Sequence, residues 1–159
     1  MLHDFNDGSG PVAAHRHGRG GGWVADTAAV DDSVWVSGDA LVSGDALVSG
    51  NARVSGNARV SGNAQVYGNA RVSGNARVSG DAQVYGNARV SKTPVFIGGL
   101  DYPITVTETH LFAGCQGHTF SAWHEFSAAD IARMDGKKAT VFYPVLLDII
   151  DLFEKLRGN

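Results

Sequence analysis

The sequence is poor in several residue types and patterns, and each shortage excludes a class of protein. Cysteine occurs once, at Cys115, which excludes an internal disulfide framework and predicts a cytoplasmic protein. No apolar run is long enough to span a membrane. Residues 1–10 lack the basic and apolar regions of a signal peptide, so we expect no leader. The net charge of −3 indicates no strongly charged partner, and we predict no general binding to nucleic acid.

A six-residue repeat dominates the sequence from Val24 to Val90. Valine recurs there at every sixth position, and from Gly38 onward the unit reads V-S-G-N-A-R with few changes. This period fits neither the 3.6-residue turn of an α-helix nor the alternation of an ordinary strand with hairpin turns. It predicts a solenoid in which each hexad forms one flat side and one corner.

The order of residues within the unit supports this interpretation. Each valine and the alanine two positions before it, such as Ala52 and Val54, share one face of an extended segment. That apolar face should point inward, and the residue between them, here Arg53, should point outward. Gly and Asn tolerate left-handed backbone angles, so the G-N pair is expected to make the corner.

A longer period of 18 residues predicts the cross-section of the solenoid. Tyr67 and Tyr85 replace serine 18 positions apart, and Gln65 and Gln83 replace arginine at the same spacing. Three hexads should therefore close one triangular turn, with residues 18 apart stacked in columns. The twelve hexads predict about four turns, each adding strand pairs at a spacing of about 4.8 Å.

This V-S-G-N-A-R pattern resembles the hexapeptide-repeat family of left-handed parallel β-helices, in which an aliphatic residue comes first and a small residue fifth. Serine or tyrosine at the second position departs from many members of that family. The resemblance implies a left-handed coil and a homotrimer. Many members are acyltransferases, but a fold does not carry a function with it.

The chain divides into three expected segments. Residues 1–22, rich in Gly and His, should cap the first turn, because the end of a solenoid exposes apolar core and strand edges. Residues 23–92 should form the β-helix. Residues 93–159 should form a tail that caps the other end and assists oligomerisation, and Pro94 marks this boundary because it cannot donate to a strand ladder. The predicted fold is mainly β: a left-handed parallel β-helix of about four turns with a small α+β C-terminal tail.

Within the tail, short strands are predicted over residues 95–126. A helix with an S-x-x-D start should begin at Ser127 and stop near Gly136. We expect a buried strand over residues 139–143. A second, amphipathic helix should then begin at Pro144.

The outward positions of the repeat suggest a binding surface. Arginines form two columns, one of Arg53, Arg71 and Arg89 and one of Arg59 and Arg77. Stacked guanidinium groups repel one another, so either nearby Asp and Asn residues and solvent offset the charge, or a phosphate or carboxylate binds there. The stacked tyrosines add an aromatic feature. The candidate ligand-binding residues are Arg53, Arg59, Arg71, Arg77, Arg89, Tyr67 and Tyr85.

Apolar side chains occupy the same outward slot nearer the start of the repeat. They are Trp23, Trp35, Leu41 and Leu47. Contiguous exposed apolar residues usually mark an interface, so we expect these four to contact a neighbouring subunit or the N-terminal cap.

The repeat contains no histidine, and all six histidines lie in the flanks. His3, His15 and His17 could bind a metal, but no acidic or Cys partner lies at a tight spacing. Cys115 lies near two histidines, as a nucleophile and its base would, yet the spacing matches no known cysteine-enzyme motif. We predict no metal site, no catalytic residue and no cofactor.

Three functions remain open. A hexapeptide-repeat acyltransferase would use a histidine base near an inserted loop, but this repeat has neither, so the base would have to reach in from a flank. A non-catalytic homotrimeric scaffold or binding protein fits the regular repeat and its outward columns better. A structural virion appendage is the third alternative, although the short chain and helical tail argue against it.

The opening G-G-G-W-V-A-D-T-A and the near-perfect hexads also resemble hexapeptide-repeat proteins of phages and prophages. That resemblance implies an accessory role, such as binding an anionic, nucleotide-like ligand or a host protein. The sequence identifies neither the ligand nor the partner.

Overall fold

The computed structural model describes residues 1–158, so Asn159, the last residue of the expected tail, lies outside the described residues. An N-terminal hairpin is formed by β1 (Leu2–Asp4) and β2 (Pro11–Arg16). Twelve short strands follow: β3 (Trp23–Ala25), β4 (Ala29–Val30), β5 (Trp35–Val36), β6 (Leu41–Val42), β7 (Leu47–Val48), β8 (Arg53–Val54), β9 (Arg59–Val60), β10 (Gln65–Val66), β11 (Arg71–Val72), β12 (Arg77–Val78), β13 (Gln83–Val84) and β14 (Arg89–Val90). The tail contains β15 (Val95–Ile97), β16 (Ile104–Val106), β17 (His110–Ala113), β18 (Gln116–Thr119), α1 (Phe120–Glu125) and α2 (Ala128–Leu156).

The twelve short strands stack into three parallel sheets, which are the faces of a β-solenoid. The first face contains β3, β6, β9 and β12, the second β4, β7, β10 and β13, and the third β5, β8, β11 and β14. Each strand pairs with the strand 18 residues later, as Arg53 does with Arg71 and Arg71 with Arg89. Four strands per face confirm the predicted solenoid of about four turns.

Valine and alanine fill the interior of the solenoid, as the repeat predicts. Val60 and Ala58 are both fully buried, because alternate residues of an extended segment point to the same side. The other buried valines of the repeat are Val24, Val36, Val42, Val48, Val54, Val66, Val72, Val78, Val84 and Val90. Val30, in the less regular first turn, is half-buried.

Stacked amides connect successive turns at the corners. Asn51 donates to the side-chain oxygen of Asn69 at 3.4 Å, and Asn69 donates to that of Asn87 at 3.3 Å. Such ladders satisfy exposed polar groups in the same register as the strand pairing, so residues 18 apart are held together at corners as well as on faces.

The N-terminal hairpin extends the first face. Strand β2 pairs antiparallel with β3, with Arg16 opposite Trp23. Phe5 and Ala14 are buried beside Ala25 in a small cluster outside the solenoid interior. Burial of apolar side chains in this cluster, which also includes Trp23 and Leu41, holds the hairpin against the first turns.

The tail covers the last turn of the solenoid. The hydroxyl of Thr105 accepts a hydrogen bond from the backbone N–H of Gln83 at 3.0 Å. The carboxylate of Glu108 accepts from the backbone N–H groups of Ser91 and Lys92 at 3.0 and 2.9 Å. These side chains satisfy donors that the end of a strand ladder would otherwise leave without partners.

Strands β15 to β18 form an antiparallel sheet, and α1 and α2 pack against it around a second core. The start of α2 confirms the predicted cap, because Ser127 and Asp130 form a reciprocal capping box. The backbone leaves helical geometry at Asp135 and Gly136, near the predicted stop, and α2 then continues beyond this break.

Three predictions about the tail are wrong. Residues 139–143 are helical, and Pro144 lies inside α2 instead of at its start. Phe142, Leu146 and Ile150 recur at helical spacing and are all buried in the second core, so packing overrides the strand propensity of the preceding Thr and Val. Residues 120–125 also form a helix, α1, where strand was expected. Within residues 1–158, no helix is both long enough and apolar enough to cross a membrane.

Candidate functional site

The two arginine columns lie on different faces of the solenoid. Arg59 and Arg77 are register partners on the first face. Arg53, Arg71 and Arg89 are stacked on the third face, where all three side chains are exposed. Within residues 1–158 none of these five arginines forms a salt bridge. The columns therefore form two separate basic surfaces.

The N-terminal hairpin converts the first-face column into a groove with a volume of about 470 Å³. Its lining residues are His3, Asn6, Arg16, Trp23, Asp39, Leu41, Asn57, Arg59, Asn75 and Arg77. Three of these side chains are arginines and one is an aspartate, so the groove carries a net positive charge. We call this site the arginine groove.

Arg59 is half-buried, whereas the other two arginines of the groove are exposed. Its Nη1 donates to the backbone carbonyl of Phe5 at 2.9 Å, which fixes the guanidinium under the turn of the hairpin. Arg77, one turn further along, is exposed and makes no side-chain hydrogen bond to the part of the chain that the structure describes. The free donors of Arg77 are therefore open to a ligand entering from solvent.

Arg16 is a groove residue that sequence reasoning missed. Its guanidinium lies 4.4 Å from the ring centroid of Trp23, and its Nη1 donates to the carbonyl of Gly21 at 2.7 Å. His3 stacks on the same indole at a centroid distance of 4.2 Å. The hairpin thus brings a third guanidinium to the column. Arg16 reaches this position through the antiparallel pairing of β2 with β3, which the repeat pattern does not predict.

A smaller cavity of about 200 Å³ shares Arg59 and Arg77 with the arginine groove. Its lining includes Asp7 and the serine column of the adjacent corner, Ser43, Ser61 and Ser79. Hydrogen bonds from Ser9, with a smaller contribution from the charge of Arg59, lower the pKa of Asp7. Asp7 therefore remains ionised at neutral pH and offsets part of the charge of Arg59.

The candidate tyrosines line neither the arginine groove nor the smaller cavity beside it. Tyr67 and Tyr85 stack with centroids 4.7 Å apart, and Tyr85 in turn contacts Phe112 of the tail at 4.6 Å. The Tyr85 hydroxyl donates to the carbonyl of Gly114 at 3.2 Å. Burial raises the pKa of both tyrosines, so both remain protonated. This geometry joins the solenoid to the tail.

The four outward apolar residues separate into two pairs. Trp23 and Leu41 are half-buried against the hairpin, in the cluster that contains Phe5. Trp35 on the third face is 43% exposed and Leu47 on the second face is 45% exposed. Only this second pair is available to a neighbouring subunit.

The N-terminal histidines do not converge on a metal site. His15 Nδ1 lies 2.7 Å from a carboxylate oxygen of Asp26. The buried His17 lies 3.2 Å from the carbonyl of Asp31, and burial lowers its pKa. His3 stacks on Trp23, and each of the three histidines therefore has its own neighbours.

A different group could hold a divalent cation. His124 of α1 and Asp151 and Glu154 of α2 place one ligand atom each within 4.8 Å of one another. The sequence did not indicate it, because these residues are brought together only by the packing of α1 on α2. His124 and Asp151 are exposed, and exposed acidic residues often meet without binding an ion.

The remaining reactive side chains of the tail do not form a catalytic arrangement. Cys115 is exposed in the β17–β18 turn. Burial lowers the pKa of His110 and of His118, which favours their neutral forms. His118 contacts a side-chain oxygen of Gln116 at 3.0 Å, and His110 contacts the hydroxyl of Thr109 at 2.8 Å. The thiol has no histidine among its hydrogen-bond partners within residues 1–158.

Comparison with known families identifies the repeat and nothing beyond it. The chain is similar to the family described as YdcK Beta solenoid repeat over residues 46–62, 52–68, 64–80 and 82–92. No curated protein and no solved structure matches the chain. The matched segments contain strands of all three stacked sheets, so the comparison and the structure agree on a β-solenoid.

Proposed function

We propose that this protein is a non-catalytic, homotrimeric binding protein that takes a small, nucleotide-like anion in the arginine groove. The observation that carries the proposal is the convergence of Arg16, Arg59 and Arg77 on one groove of about 470 Å³. That volume falls within the range of ordinary small-molecule sites.

The charges of the groove favour an anion over a neutral ligand. Guanidinium groups stacked one turn apart repel each other, and no described carboxylate forms an ion pair with them. A phosphate between Arg59 and Arg77 would relieve that repulsion and accept charge-assisted hydrogen bonds. Arg59 is already oriented by the carbonyl of Phe5, so its side chain loses little further freedom on binding.

The side-chain amides of the groove suit the rest of such a ligand. Asn57 and Asn75 lie along one edge and offer both donors and acceptors. Asp39, at the same edge, disfavours a second anionic group nearby. The groove therefore suits a ligand with one phosphate and a polar, uncharged body.

The ligand contacts are tested with two matched double variants. Arg59→Ala with Arg77→Ala should lower affinity for the best nucleotide or phosphorylated metabolite about 100-fold or more, since each hydrogen bond to a charged group contributes about 1.5–3 kcal/mol. Arg53→Ala with Arg71→Ala removes the same charge from the third face and should bind like the parent. Thermal melting against nucleotides, cyclic nucleotides and sugar phosphates, followed by calorimetry, measures both.

Two results would contradict the anion proposal. One is a parent protein whose melting temperature no anion raises. The other is equal loss of binding in the two double variants, which would mean that overall charge and not the groove attracts the ligand. Added salt should weaken binding in the parent, because Arg77 is exposed.

The homotrimer is supported by the resemblance to hexapeptide-repeat proteins and by the exposed pair Trp35 and Leu47. The double variant Trp35→Lys with Leu47→Lys should shift the native mass spectrum from trimer to monomer, because it places charge on the apolar part of an interface. The control is Leu100→Lys, which changes a similarly exposed leucine of the tail. A parent protein that is monomeric at all concentrations would contradict the trimer.

A host protein with an acidic surface is the alternative occupant, which the phage resemblance implies. Such a partner would cover the exposed third-face column as well, so the Arg53 and Arg71 double variant would then lose binding too. The acyltransferase alternative finds less support. Among the residues that line the groove, His3 is the candidate for a histidine base, and its ring is stacked on Trp23.

A further inference from the structure

The tail contains a cavity of about 280 Å³ whose lining includes none of the arginines of the two columns. Its walls are mainly apolar and include Trp123, Ile131, Met134, Phe142 and Leu146. They come from α1 and from both parts of α2, so the cavity lies between the helices and the antiparallel sheet. We call it the tail pocket.

The break in α2 opens this pocket. Asp135 and Gly136 have non-helical backbone angles, with φ of −155° and 59°. Ile131 and Met134 precede the break, and Phe142 follows it, so the two parts of the helix present different walls to the same space. Apolar walls that are not in contact forgo dispersion energy, and a ligand of matching shape restores it.

The polar groups at the pocket are few and are already oriented. The hydroxyl of Tyr102 donates to Oδ2 of Asp135 at 2.6 Å. Desolvation and this bond raise the pKa of Tyr102 to about 12, so the hydroxyl remains the donor and the carboxylate the acceptor. The other oxygen of Asp135 remains open to a ligand.

Charge complementarity selects the ligand. Within residues 1–158 Asp135 forms no salt bridge, and it is the one charged side chain in the pocket lining. The ammonium of Lys138 lies 4.6 Å from the ring centroid of Tyr102, outside that lining. A cationic group on the ligand would therefore meet an acceptor at the pocket, and an anionic group would meet a carboxylate.

We propose that the tail pocket binds a small amphipathic amine. Its aromatic or aliphatic body lies among Trp123, Met134 and Phe142, and its protonated nitrogen donates to Asp135. This site is independent of the arginine groove and has the opposite charge preference. A failure of this proposal would therefore leave the proposed function unaffected, and the reverse also holds.

Three probes that share a phenethyl group and differ in their polar group test the charge preference: phenethylamine, phenethyl alcohol and 3-phenylpropanoate. Calorimetry should show that the amine binds about 5- to 10-fold more tightly than the alcohol, because Asp135 is partly open to water, and that the carboxylate binds most weakly. Quenching of tryptophan fluorescence provides a second readout, since Trp123 lines the pocket. A carboxylate that bound best, or a parent that bound none of the probes, would overturn the proposal.

Two variants locate the probes. Ala139→Leu enlarges the side chain at a half-buried lining position and should weaken all three probes at least about tenfold, because leucine occupies space that the probes need. Ala132→Leu makes the same change at an exposed position of α2 outside the lining and should bind like the parent. Equal binding by both variants would place the probes elsewhere and overturn the proposal.

Asp135→Asn keeps the test decisive if Ala139→Leu does not fold. Asparagine retains an acceptor for the Tyr102 hydroxyl but has no charge. This variant should bind the alcohol like the parent and should lose the preference for the amine. An unchanged preference would show that Asp135 does not receive the amine, and would overturn the proposal. The Arg59 and Arg77 double variant should bind phenethylamine like the parent.

Discussion

Val60→Asp should prevent the solenoid from folding. Val60 is fully buried on β9, in an inner strand of the first face. Its burial contributes about 1.5–3 kcal/mol. The aspartate would also leave a carboxylate without partners in an interior of valine and alanine, at a cost of several kcal/mol more. Because a domain of this size is stable by only about 5–15 kcal/mol, the sum removes most or all of that stability.

The matched control is Val141→Asp. Val141 is 63% exposed on α2, so the same substitution should change the free energy of unfolding by about 0.5 kcal/mol or less. Soluble yield, far-ultraviolet circular dichroism and the elution volume distinguish the two proteins. A folded Val60→Asp protein with the parent's melting temperature would contradict the inward orientation of the repeat valines.

Gly62→Ala should destabilise the protein much more than Gly86→Ala, although both glycines have the same backbone angle. Each has φ of +64°, which costs an L-residue about 1–2 kcal/mol. A Cβ atom at Gly62 would lie 2.9 Å from the backbone nitrogen of Gly80 in the next turn, whereas one at Gly86 meets nothing within 4 Å. Overpacking adds about 1–3 kcal/mol at Gly62 alone.

Equilibrium unfolding by urea measures this difference directly, and the two variants serve as controls for each other. We expect losses of about 1–2 kcal/mol for Gly86→Ala and about 2–5 kcal/mol for Gly62→Ala. Equal losses would mean that successive corners are not in close contact. Only the backbone angle would then require glycine at these positions.

In the repeat segment, the fold follows from local sequence patterns. The six-residue valine period places Val60 inside and Arg59 outside, and the 18-residue period pairs Arg59 with Arg77. Both follow from the sequence because each turn contacts mainly its neighbouring turns, so a pattern that repeats along the chain repeats in space. The capping box at Ser127 was predictable for the same reason, since its contacts span three residues.

The candidate sites depend on contacts between distant parts of the chain. The sequence predicts two arginine columns of the same kind, and only the hairpin decides that Arg59 and Arg77 line a groove while Arg53, Arg71 and Arg89 remain on an open face. The addition of Arg16 follows from the same hairpin, which the Gly- and His-rich sequence of residues 1–22 does not indicate.

In the tail, contacts between distant segments override local sequence preferences. Its sequence favours strand over residues 139–143, but burial of Phe142 and Leu146 against the sheet makes that segment helical. The same packing creates the tail pocket around the break at Gly136 and brings His124 to Asp151. Periodic local order determined the solenoid from sequence alone. The groove and the pocket were decided by tertiary structure, because each is built from segments that meet only when apolar surface from one is buried against another.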